Sequence, residues 1–144
     1  MKIGPMAAEL RPGDVFEYPY LWNWQAKKGE TEGRKERPVC LLIALPVLTG
    51  TMMVILPITA TEPESKDDAV EMPAIEARRA GLAGWKRGWV IVSEANFDSL
   101  ENSWYFNPGQ PPRGRFSPAF LSKISARFQN VLEAGGLRKV SRSE

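Results

Sequence analysis

A chain of 144 residues, 43% hydrophobic and 25% charged, has the size and composition of one ordinary globular domain. Its net charge is only +2, so any hold on a polyanion must come from charges clustered locally. There is no histidine and one cysteine, Cys40. That excludes a disulfide framework, removes imidazole as an acid or base, argues against a zinc site, and suits a reducing cytoplasm.

In chain order, Met1 to Pro12 carries Lys2, Glu9 and Arg11 but no apolar core of a secretory signal. Arg11-Pro12-Gly13-Asp14 has turn chemistry, and Val15 to Tyr18 alternates as a strand does. Asn23 to Glu36 is polar, rich in charge, and reads as a flexible loop. Val39 to Leu45 is an almost unbroken apolar run, the pattern of a strand covered on both faces. Met52 to Leu56 is its expected antiparallel partner across Leu48-Thr49-Gly50-Thr51, with Pro57 to Thr59 closing that strand. Pro38 to Ala60 has no charged residue and is long enough to span a bilayer, but Pro46 and Pro57 would break a helix there. A buried hairpin is the expectation.

Thr61 to Asp68 reads as a solvated loop, whose carboxylates Glu62, Glu64, Asp67 and Asp68 lack the spacing of a hard-cation site. Ala69 to Met72 suits a short strand. Ala74 to Ala80, after Pro73 and before Gly81, suits a short helix. Trp89 to Val92 is another strand, Ser93 to Phe106 is ambiguous, and Asn107 to Gly114 is a proline- and glycine-rich loop. The clearest helix comes last. Ser117 caps it, Pro118 opens it, and Phe120, Leu121, Ile124, Phe128, Val131 and Leu132 form its apolar face until Gly135-Gly136 stops it. Leu137 to Glu144 reads as a frayed tail. These elements predict a mainly β fold with helices (α+β): one small antiparallel barrel over residues 1–136 with a C-terminal amphipathic helix.

Several short motifs recur in a recognisable order: Arg11-Pro12-Gly13-Asp14-Val15, then Gly29-Glu30-Thr31-Glu32-Gly33-Arg34-Lys35-Glu36-Arg37-Pro38, then Val54-Ile55-Leu56-Pro57-Ile58-Thr59. Together they resemble the MazF/PemK toxins of type II toxin–antitoxin systems. The likeness covers about the first sixty residues. Two departures stand out: the 18–36 loop is long, and Ser93-Glu94 replaces the Asp-Gln-like pair of many members. The resemblance implies an SH3-like barrel that dimerises, cuts single-stranded RNA at short sequences, needs no cofactor or metal, and is checked by an antitoxin protein. It places the family's loop arginine on Arg37, its strand-end threonine on Thr59, and its loop glutamate on Glu32.

RNA can be cut through its own 2′-hydroxyl if one group accepts a proton, donors stabilise the phosphoryl oxygens, and another protonates the leaving oxygen. Without histidine, arginine and carboxylate must do this work. Arg37 offers a fixed fork of donors, Thr59 a hydroxyl, and Glu32 is the candidate base. Read without the family pattern, Arg37 is a solvated strand flank, Thr59 a strand-end turn residue and Glu32 surface charge.

The preceding loop carries Lys27, Lys28, Arg34 and Lys35 beside Trp22 and Trp24. Charge neutralisation with base stacking is how single strands are held. The same residues equally suit core-filling tryptophans with solvated lysines. Arg113, Arg115, Lys123 and Arg127 suit either an extension of that basic track or decoration of the last helix, and decoration is the expectation. Cys40, within the apolar run, reads as a buried hydrophobe. Two other functions stay open: a non-cleaving barrel acting through a protein partner, as gyrase-poisoning toxins of this fold do, and a plain nucleic-acid-binding module.

Overall fold

The uncharged run folds as the central hairpin. In this computed structural model, residues 10–142 are described, and β2 (Arg37–Val47) pairs antiparallel with β3 (Gly50–Thr59) across the predicted turn. Alternate residues of β2 enter two different cores. Cys40 and Leu42 pack with the C-terminal helix side, whereas Val39 and Leu41 pack against Phe16, Tyr18, Met53, Ile55 and Phe106. Burial on both faces is why this strand reads as a continuous apolar run. A bulge between Leu41 and Ile43 shifts the register, so Leu42 and Ile43 lie on the same side. Among the described residues no helix is long and apolar enough to cross a membrane.

β1 (Asp14–Tyr18) adds to the outer side of β2, and the two-residue β7 (Gly114–Arg115) adds to β1. On its other side β3 changes partner along its length. Residues 52–55 pair with β6 (Glu94–Ser99), and Ile58 and Thr59 pair with β5 (Trp89–Ile91), which carries β4 (Ala69–Glu71) beyond it. Pro57 falls in the gap between those two partners, where its missing N–H interrupts neither ladder. The strand therefore runs through Pro57 to Thr59. The result is a curled, mainly antiparallel half-barrel.

Among the described residues three α-helices complete it: α1 (Asn23–Lys27), α2 (Ala74–Arg79) and α3 (Pro118–Glu133). Gly81, at φ +77°, ends the second. Ser117 caps the third by accepting from Phe120 N at 3.1 Å, and its own hydroxyl donates to the buried Glu76 carboxylate at 2.6 Å. Phe120, Ile124 and Phe128 fill the larger core as the periodicity predicts.

Two sequence expectations are corrected. The segment Asn23 to Glu36 is not wholly irregular: it opens with α1, whose Gln25 side chain is buried and accepts from Trp22 N at 3.0 Å. The expected frayed tail is instead β8 (Arg138–Ser141), the one parallel strand among the described residues, paired with β6. Val140 is buried, and so is Arg142, so the folded unit continues past residue 136. Residues 143 and 144 lie outside the described residues.

Candidate nucleic-acid interface

Five strands put their ends at one edge of the sheet. Tyr18 pairs with Arg37, Thr59 with Trp89, and Trp89 with Glu71. Val39 with Pro57 is the last pair of the hairpin ladder, and Arg37 and Thr59 each lie two residues beyond it, on the same end of the hairpin. Directly opposed residues share a face. Tyr18–Arg37 and Thr59–Trp89–Glu71 are thus two cross-strand rows at this edge, with paired neighbours about 5 Å apart from strand to strand.

Trp22 joins the two rows, touching Arg37 of one and the cluster around Trp89 of the other. Its ring meets Tyr20 edge-on at 5.1 Å, packs against the Ala69–Trp89–Ile91 cluster, and carries the Arg37 guanidinium 5.0 Å from its centroid. Arg87 stacks likewise on Trp89 at 4.7 Å. Partial burial draws the Arg37 pKa below the ordinary arginine value, against an opposing pull from Tyr20. That is the direction that favours giving up a proton. Thr59 Oγ1 accepts from Thr61 N at 3.1 Å, which turns the chain away at the strand end and leaves the hydroxyl proton to another acceptor.

Glu32 is not brought to either row by any hydrogen bond or ion pair. It is exposed, its carboxylate accepts from Thr31 Oγ1 at 3.4 Å, and its backbone carbonyl accepts from Arg142 Nη2 at 3.2 Å. The loop's basic residues divide. Trp24, 47% exposed, has Lys28 Nζ 5.3 Å and the Arg34 guanidinium 4.8 Å from its centroid, and Arg34 is itself held by Glu30 at 2.7 and 3.1 Å. Lys27, in the last turn of α1, and Lys35 are exposed. The pile on Trp24 gives a flat ring with positive charge at its face.

What positions Trp22 and Trp24 is a buried polar cluster that the sequence reading passed over. Glu94 accepts from Tyr20 OH at 3.1 Å and Asn23 N at 2.9 Å. Asn96 clasps the Leu21 backbone through both its amide atoms, at 2.9 and 2.7 Å. These bonds fix residues 20 to 23 and so the start of α1. Burial raises the Glu94 pKa above the usual carboxylate value despite those hydrogen bonds. Asp98 accepts from Tyr18 OH at 2.6 Å and from Ser103 Oγ. Arg142 completes the cluster, donating to Pro19 O, Asn96 Oδ1, Thr31 O and Glu32 O at 2.9–3.2 Å.

The alternating Glu94, Asn96 and Asp98 were the available signal. They follow a strand's period, but with the polar set buried.

The remaining predicted groups are settled by their partners. Cys40 is fully buried and burial pushes its thiol pKa far up, as a core residue requires. Arg113 pairs with Glu17 and Arg115 with Asp14, whereas Lys123 and Arg127 face a separate cleft beside Trp89. No protein-family model matches the chain, and no curated protein matches it in sequence.

Proposed function

We propose that this chain is the toxin of a type II toxin–antitoxin pair, an SH3-like barrel of MazF/PemK type that cuts single-stranded RNA in the cytoplasm. The observation that supports this most is the hairpin, which carries Arg37 and Thr59 to the same end two residues past its last pair, with an aromatic ring against the guanidinium. Two residues brought to one end of the hairpin supply a charged fork and a hydroxyl for one phosphate. In this reading the 2′-oxygen attacks the adjacent phosphorus and the P–O5′ bond breaks. Arg37 holds the developing charge and, desolvated against Trp22, passes a proton to the leaving oxygen, while Thr59 donates to a phosphoryl oxygen.

Glu32 takes the 2′-proton only if the loop folds toward this edge when RNA arrives. As a toxin the protein acts on mRNA as a homodimer and is silenced by an antitoxin segment that orders on binding.

Incubating purified protein with a long single-stranded RNA in EDTA, beside Arg37→Ala, tests this. Cuts at one recurring short sequence are expected, falling by about 10²–10³ in the variant. Intact RNA from a folded wild-type protein would sink the nuclease reading. A specific observation then favours the partner-binding barrel: Leu45, Val47 and Leu48 at the hairpin end, with Trp104 at 87% exposure, leave an apolar surface uncovered.

A further inference from the structure

A cleft of about 350 Å³ opens between the Lys66–Asp68 turn, β4 and α3, at the Trp89–Glu71 end of the Thr59–Trp89–Glu71 row. Its charged lining is Glu62, Lys66, Glu71, Arg87, Lys123 and Arg127. Four cations face two carboxylates there, which accounts for the whole +2 net charge of the chain. Both carboxylates are engaged by Arg87, Glu71 at 2.8 and 3.2 Å and Glu62 at 3.5 Å, while Arg87 rests on the Trp89 ring. Among the described residues, Lys66, Lys123 and Arg127 have no carboxylate within ion-pair distance. Arg127 is nonetheless fixed in place, since its Nη1 donates to Lys66 O at 2.8 Å and Ala69 O at 3.1 Å. Three cations without a direct ion pair line the cleft, where the backbone holds one of them in place.

We propose that this cleft is a second phosphate subsite for single-stranded RNA, taking a phosphodiester next to the one held at Arg37 and Thr59. The inference rests on the reading above for the identity of the polyanion. Continuity supports it: Thr59, Trp89 and Glu71 are successive members of one row, so a strand leaving Thr59 enters the cleft after about two interstrand steps of ~5 Å. Chemistry favours RNA over an acidic protein segment. A protein segment draws its affinity from apolar anchors in pockets. Here Val70, Ala69 and Trp89 are buried and charge makes the rim. A polyanion binds such a rim by releasing counterions.

The test uses a fluorescent 2′-O-methyl oligonucleotide, which lacks the attacking hydroxyl, titrated by anisotropy between ~50 and 200 mM salt. Lys66 and Lys123 are exposed, so the double variant Lys66→Ala/Lys123→Ala keeps the fold. Two lost contacts should flatten the log Kobs against log salt slope by about 1.4 and weaken binding about 25-fold near 0.1 M salt. An unchanged slope and affinity in the double variant would overturn the subsite, even if Arg37→Ala abolishes cleavage of ordinary RNA. Binding that depends on both lysines while ordinary RNA stays intact would leave the subsite standing and remove the nuclease. Poly-glutamate bound as tightly as the oligonucleotide at equal salt would overturn it in favour of an acidic protein ligand.

Discussion

Replacing Arg142 by Met tests whether the C-terminal strand is structural. Arg142 is 7% exposed and its guanidinium makes four hydrogen bonds of 2.9–3.2 Å, three to backbone carbonyls and one to Asn96. It also lies 3.9 Å from the Tyr105 ring centroid. Hydrogen bonds from a charged donor contribute about 1.5–3 kcal/mol each, but the gross sum is not the net effect.

Methionine fills most of the volume and removes a desolvated charge whose Nε has no partner, which returns about 1–3 kcal/mol. Against this, Pro19, Thr31, Glu32 and Asn96 each lose an acceptor's partner. The net falls near the ~3–5 kcal/mol typical of removing one side of a buried charged network. At an m-value of about 2 kcal/mol per M, the urea midpoint should drop by about 2 M. Arg142→Lys, which keeps the charge but not the fork, should recover part of the loss. A midpoint within ~0.3 M of wild type at unchanged m would refute the claim that Arg142 organises this centre.

Gly33 has φ +80°, and a Cβ there would lie 2.3 Å from Pro19 O. Gly33→Ala should destabilise by well over 1 kcal/mol, lowering Tm by more than ~2–4 °C, and a neutral melt would show that the loop can move off Pro19. Glu94 holds its proton in the folded state to a higher pH than in the unfolded chain, where carboxylates titrate near ~4.3. The native state therefore binds the extra proton, and this group's contribution falls as pH rises from the unfolded pKa through the folded one. Glu94→Gln keeps the acceptor for Tyr20 and Asn23 without that penalty. Its urea stability relative to wild type should improve from pH 4 to pH 7, and an equal gap at both would contradict the burial argument.

The parts legible in the sequence are those whose cause is local. The Val39–Leu45 run, the Thr49-Gly50 turn and the Ser117-Pro118 start of α3 carry their own instructions, and each element formed there. Arg138 to Ser141 carried none. Two charged residues precede the single buried Val140, and the pairing partner, β6, lies more than forty residues earlier. The period-2 pattern of β6 was obscured because its polar set, Glu94, Asn96 and Asp98, points inward to hold Tyr18, Tyr20 and Leu21.

The candidate site divides in the same way. Trp24, Lys28 and Arg34 come from one short stretch and do meet. Lys66, Arg87 and Lys123 come from three separate segments, so only the fold could show them as one group.

The parallel pairing of β8 with β6 also dictates the order in which this chain can finish folding. The β2–β3 hairpin closes from neighbouring residues, but Arg142 must find carbonyls 110, 111 and 123 positions earlier. Contacts of such long separation form late, because the loop entropy must be spent before they reward it. During synthesis the outer edge of β6 stays unpaired until β8 has emerged, an open template for another chain's strand. The 29–36 loop gains its last anchors only then, so the half-barrel exists before the loop beside Arg37 acquires its final shape.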